Sequence, residues 1–114
     1  MKFQHKELAG GRWQKLSLAE QLANIGSEIS RAIRWQGRDE KLFWSAVERG
    51  LELFYLTIAD SRWRNQLKEL TRLHEIFCDA VLGGKEYDSR LQDLERYFSY
   101  FAFYSRKLRN SREL

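Results

Sequence analysis

The chain contains no proline, one cysteine (Cys78), one methionine and two histidines, His5 and His74. Without proline, no helix has to be kinked or stopped by a missing amide. A lone cysteine cannot close an internal disulfide, which fits a reducing compartment. No apolar run approaches the roughly 20 residues that span a bilayer. Residues 1–15 also lack the apolar centre of a secretory signal, so the expectation is a cytoplasmic protein without membrane contact.

The same scarcity limits the chemistry. Structural zinc needs three or four Cys and His ligands, and His74 with Cys78 supplies two, at i and i+4. A bundle di-iron site needs Glu-x-x-His on two helices; here the residue three before His74 is Thr71. A nucleophilic cysteine needs a base and a lowered pKa. His74 is near enough on one helix, with Asp79 beside Cys78, but the pair reads more simply as a core histidine next to a buried thiol. Gly10-Gly11 and Gly83-Gly84 lack the surroundings of a phosphate-binding loop. No metal, cofactor or complete catalytic set is expected, and the reading leans away from an enzyme.

What the chain does have is helix-forming residues in periodic order. Its 114 residues suit one domain with a real core. A basic tail or lead-in covers 1–16, and a bundle covers 17–109. Ser17 with Glu20 is a capping box opening a first helix, 18–36, with the stripe Leu18, Leu22, Ile25, Ile29, Ala32 and Ile33. Ala19, Ala23 and Gly26 are small enough for close helix approach, and Gly37 is the stop. Asp39 caps a second helix, 39–59, whose stripe of Phe43, Val47, Gly50, Leu51, Phe54 and Ile58 is broadened by Leu42, Ala46, Leu53 and Leu56. Asp60-Ser61 is a tight joint to the third, 62–82, with the seam Leu67, Leu70, His74, Phe77 or Cys78, and Val81. Gly83-Gly84 ends it. Ser89 with Gln92 is a second possible capping box, opening a fourth helix, 89–109. Short joints make neighbours antiparallel, so the expected fold is all-α: an up-down-up-down four-helix bundle with a flexible basic N-terminal tail.

The net charge of +4 is concentrated at the ends: residues 1–15 and 104–114 each carry +3, and 16–103 carry −2. A dedicated nucleic-acid binder more often has a basic stripe on its folded body. RNA binding through the basic ends and the pairs Arg12-Trp13, Arg34-Trp35 and Arg62-Trp63-Arg64 therefore stands as an alternative. A plainer reading makes those tryptophans lids on the bundle ends.

Residues 21–28, Thr57-Ile58-Ala59-Asp60, 67–73, and Gly83-Gly84-Lys85-Glu86-Tyr87 followed by Tyr97-Phe98 and Phe101-Ala102 carry a resemblance. They resemble a family of small prokaryotic all-helical proteins with no assigned reaction. The likeness covers about 17–107 and implies a helical bundle; it offers no catalytic residue to transfer. A likeness to four-helix ribonuclease domains of toxin systems is topological only. His74 lacks the arginine those domains place before it, since 67, 68 and 69 are Leu, Lys and Glu.

Two clusters remain as candidate sites. Glu69, Arg72, Glu75 and Asp79 share a side of the third helix. With Glu28 and Glu48 opposite, they are candidates for a polar or anion-binding pocket, or for a small hydrolase; solvent-facing ion pairs are the plain alternative. The second cluster is aromatic. Residues 97–104 leave almost no polar face, and Tyr97, Tyr100, Phe101 and Tyr104 are candidate interface residues. They point to a homodimer and to protein binding or a structural, adaptor role.

Overall fold

A computed structural model of the protein describes residues 11–100. It is an all-α, up-down-up-down four-helix bundle: α1 is Leu18–Trp35, α2 Glu40–Ile58 and α3 Leu67–Val81, and the described part of α4 covers 91–100. Among the described residues, no helix is long and apolar enough to cross a membrane.

The helix ends are set by local chemistry. At α1 the Ser17 hydroxyl accepts from the Glu20 amide, and the Glu20 carboxylate accepts from the Ser17 amide, both at 3.1 Å, which completes the expected capping box. The Asp39 carboxylate accepts from the Leu42 amide at 3.0 Å to start α2. Gly37, at φ +76°, makes the turn between the two helices. α3 stops where the Gly84 amide reaches back to the Asp79 carbonyl at 2.8 Å. A side chain at Gly84 would place its Cβ 2.5 Å from the Ser89 carbonyl oxygen, so that turn requires glycine.

Some expectations are corrected. The third helix does not begin as an α-helix at 62: Ser61–Gln66 is wound as 3-10 helix, with Trp63 at φ −102°, ψ 26°. The Asp60 carboxylate holds the Arg62 amide, and the Trp63 indole is tied to α1, so tertiary contacts distort this turn. Leu67, at its junction with α3, and Leu42, in the first turn of α2, are both exposed rather than in the core. Residues 13–16 take the form of the lead-in, the alternative to a tail. Trp13–Lys15 forms a 3-10 turn, and Trp13 is fully buried. Nor is there a Ser89–Gln92 capping pair among the hydrogen bonds of the described residues; Ser89 instead faces the Asp79 carboxylate.

The core is centred on Phe54 of α2. Its ring lies 5.5 Å from those of His74 and Phe77 on α3 and 5.9 Å from Phe98 on α4. α1 closes the bundle with Leu22, Ile25, Ile29 and Ala32. Gly26 provides the close approach anticipated from its size: a Cβ there would sit 2.9 Å from the Phe98 Cβ. That atom is fixed to the α4 backbone, so it cannot swing aside. Gly26→Ala is therefore expected to lower the unfolding free energy by about 1–3 kcal/mol through overpacking, although alanine is the better helix former by about 1 kcal/mol. Urea titration followed by circular dichroism checks this, and a stabilised variant would contradict the close α1–α4 contact.

Candidate functional site

The densest polar construction lies where the lead-in, α1 and the α2–α3 joint meet. Gln21, fully buried on α1, is its hub. Its side-chain amide donates to the Trp13 carbonyl at 2.9 Å and to Asp60 Oδ2 at 3.1 Å, and its oxygen accepts from the Trp63 indole at 2.9 Å. The Trp13 indole donates to the Thr57 hydroxyl at 3.1 Å, and that hydroxyl donates to the Leu53 carbonyl. Arg62 closes the network by pairing with Asp60 at 2.7 Å, reaching the Leu16 carbonyl at 2.7 Å and lying 4.4 Å above the Trp63 ring. The Arg62 guanidinium, aided by the Gln21 amide, holds the Asp60 carboxyl down to about 2. The buried polar atoms are satisfied by one another, which is how a structural lock is built. Arg62, Trp63 and Trp13 thus act inside the fold, as the lid reading of the Arg-Trp pairs expects.

The six residues of the expected polar pocket do not converge: four take separate partners, and Glu48 and Arg72 are exposed. Glu28 is buried between α1 and α2, accepting from Arg31 at 2.7 Å and from Arg49 at 3.1 Å. Glu48 is exposed on α2. Glu69 accepts from the Tyr97 hydroxyl at 3.1 Å, and Glu75 from the Tyr87 hydroxyl at 3.4 Å. Arg72 is exposed. Asp79 is buried and organises the α3–α4 loop by accepting from the Glu86 and Tyr87 amides at 2.9 and 3.1 Å. Burial pushes its carboxyl up, but those amides and Ser89 outweigh it and hold the group below the ordinary carboxylate range.

His74 and Cys78 do meet, with 3.8 Å between Nε2 and Sγ. Burial lowers the pKa of His74 and raises that of the Cys78 thiol. Both shifts favour neutral forms, opposite to an activated thiolate-imidazolium pair. Among the described residues, no three His, Cys, Asp or Glu side chains gather where a metal ion could be held.

The aromatic cluster presents a surface. Phe98 is fully buried, while Tyr97 and Tyr100 are 39% and 63% exposed; Phe101 and Tyr104 lie outside the described residues. Two hollows flank Tyr97. One, of about 180 Å³, lies between α1 and α3 and is lined by Leu18, Leu22, Leu70 and Leu73. The other, of about 310 Å³, runs along α3 and α4 past Leu73, Ile76 and Leu94. Tyr97 and Leu73 border both. Burial and the hydrogen bond to Glu69 raise the pKa of the Tyr97 phenol, keeping it a donor. Sequence reasoning placed Leu18, Leu22, Leu70 and Leu73 in the core stripes; Leu22 and Leu70 are buried there, while Leu18 and Leu73 are only partly buried at the edge, a difference that periodicity does not signal. It also missed Gln21, Thr57 and Arg49, polar residues whose partners are 21 to 44 positions away.

No protein-family model, curated protein or solved structure matches the chain.

Proposed function

We propose that this bundle is a non-enzymatic protein-binding module, a cytoplasmic adaptor or structural component that works as a homodimer through the edge centred on Tyr97. The observation that carries this reading is the pair of adjoining apolar hollows on either side of Tyr97. Contiguous apolar surface of this kind marks a site of association, and tyrosine contributes large contact area with little loss of side-chain freedom. Tyr100 extends the patch by one turn of α4. A catalytic reading gains no comparable support, because the acidic residues proposed for it serve internal contacts or stand apart.

Sedimentation equilibrium tests the reading. A dimer is expected at concentrations up to about 100 μM, where an interface of even modest affinity is populated. Tyr100→Lys is expected to weaken it by about tenfold or more, the effect of truncating a central interface aromatic, while leaving the thermal unfolding of the monomer nearly unchanged. A monomer throughout that range would overturn the proposal.

A further inference from the structure

The end of the bundle farthest from the Gln21 lock carries a different kind of surface. The α1–α2 turn and the end of α3 enclose an open groove of about 490 Å³, bordered by Gln36, Arg38, Glu40, Phe43, Trp44 and Val81. That volume lies within the roughly 300–1,000 Å³ of small-ligand sites.

Two groups in the groove are chemically unspent. Trp13 and Trp63 donate their indole N–H groups to Thr57 and Gln21, but the Trp44 indole N–H has no acceptor among the described residues, and the side chain is 39% exposed. Phe43, nearly buried, meets the Trp44 ring edge-on at 5.0 Å and 81°, holding its plane in place. Arg31, Arg49 and Arg62 are paired with carboxylates. The Arg38 side chain has no ion pair or hydrogen bond among the described residues. Its neighbour Asp39 is engaged in capping α2, while Arg34 and Lys41 add positive charge nearby.

We infer that this groove binds a nucleoside monophosphate unit, stacked on Trp44 with its phosphate on Arg38. An exposed indole face takes any base by stacking, and a planar guanidinium matches two phosphate oxygens at once. Gln36 and Glu40 place an amide and a carboxylate on the same rim, where they can donate to and accept from the ribose hydroxyls or the base edge. One arginine and one opposing carboxylate in the groove suit a single phosphate rather than a polyphosphate chain. The same unit exists as a free mononucleotide or as the phosphorylated end of an RNA strand. This site lies apart from the Tyr97 edge and does not depend on dimerisation.

The test is a titration of the full chain with AMP, GMP, CMP and UMP, following the Trp44 indole resonance by NMR and affinity by calorimetry. Inorganic phosphate and adenosine serve as half-ligands, and a 5′-phosphorylated oligoribonucleotide as the strand form. A saturable shift of Trp44 with at least one mononucleotide is expected. Arg38→Ala and Trp44→Ala should each weaken binding by about tenfold, in line with loss of one charged or stacking contact, whereas Arg64→Ala, at the other end, should not. Tighter binding of the oligoribonucleotide identifies the strand end as the source, and equal or weaker binding the free nucleotide; both uphold the site. No saturable shift, equal shifts with inorganic phosphate alone, or unchanged affinity in both groove variants would overturn it. Both replaced side chains are solvent-accessible, and unchanged circular dichroism would confirm that the variants fold.

Discussion

Phe54→Ala is expected to lower the unfolding free energy by about 3–5 kcal/mol, the range for truncating a fully buried phenylalanine. Domains of this size are stable by only about 5–15 kcal/mol, so this variant is expected to be partly unfolded near its physiological temperature. The size of the effect follows from position. Phe54 is fully buried, and its ring contacts those of His74, Phe77 and Phe98, joining α2 to both α3 and α4. No flexible neighbour can fill the space: Phe77 is already packed toward Gly50, 3.3 Å from where a Cβ would stand, and Phe98 is held against Gly26. Phe54→Leu keeps most of the volume and should cost far less, about 1.5 kcal/mol, near the upper end for a volume-conserving swap. Urea denaturation followed by circular dichroism measures both. A loss below about 1 kcal/mol for Phe54→Ala would show that the aromatic cluster is not the centre of the core.

Asp60→Ala is expected to cost about 2–3 kcal/mol. The carboxylate accepts from Gln21, from the Arg62 amide and from the Arg62 guanidinium. Removing it strands a buried amide and one side of an ion pair. Arg62 is 40% exposed and can regain water, so the loss falls short of that for a fully buried pair. The effect also has a pH signature. The folded-state pKa is depressed from 3.8 to about 2, so the unfolded chain takes up the proton first as pH falls. The stabilisation is fully present above about pH 4 and is lost as pH falls from there through about 2. Asp60→Asn retains one acceptor and much of the shape but cannot titrate. Its stability should therefore decline less than that of the wild type between about pH 5 and pH 2. Asp79, also held below its ordinary range, titrates in the same direction in both proteins, so the difference between the two curves reports Asp60. Parallel curves would mean that the Asp60–Arg62 pair does not form in solution.

The lock that Asp60 anchors has a further consequence for function. It holds Arg62 and Trp63 against the bundle, so one of the three Arg-Trp pairs noted in the sequence is engaged in contacts within the fold. The pair of groups left accessible, Arg38 and Trp44, sits at the other end, Arg38 in the α1–α2 turn and Trp44 six positions on, in α2. The groove they share is completed by Gln36 before the turn and by Val81 at the end of α3.

The order of helices, their approximate limits and the all-α class were legible in the chain itself because each rests on interactions within a few residues. Ser17 and Glu20 cap each other across three positions; Asp39 needs only the Leu42 amide; Gly37 and the Gly83-Gly84 pair adopt backbone angles that other residues resist. The small residue at Gly26 signalled close packing without naming Phe98 as the neighbour. Four of the six site candidates were grouped by spacing on the third helix and two were set opposite on the first and second, and spacing cannot say which carboxylate meets an arginine from another helix, as Glu28 does with Arg49, or which turns back to hold a loop, as Asp79 does. Trp13 was legible only as a residue of a tail or lead-in, because its hydrogen-bond partner, Thr57, is 44 residues away. Leu42 and Leu67 followed the helical period yet lie outside the core, since periodicity defines a face and the neighbouring helices decide how far that face is covered. Local chemistry thus determined where the helices start and stop, while contacts between distant segments decided which polar groups are locked inside and which apolar and aromatic groups remain open to a partner.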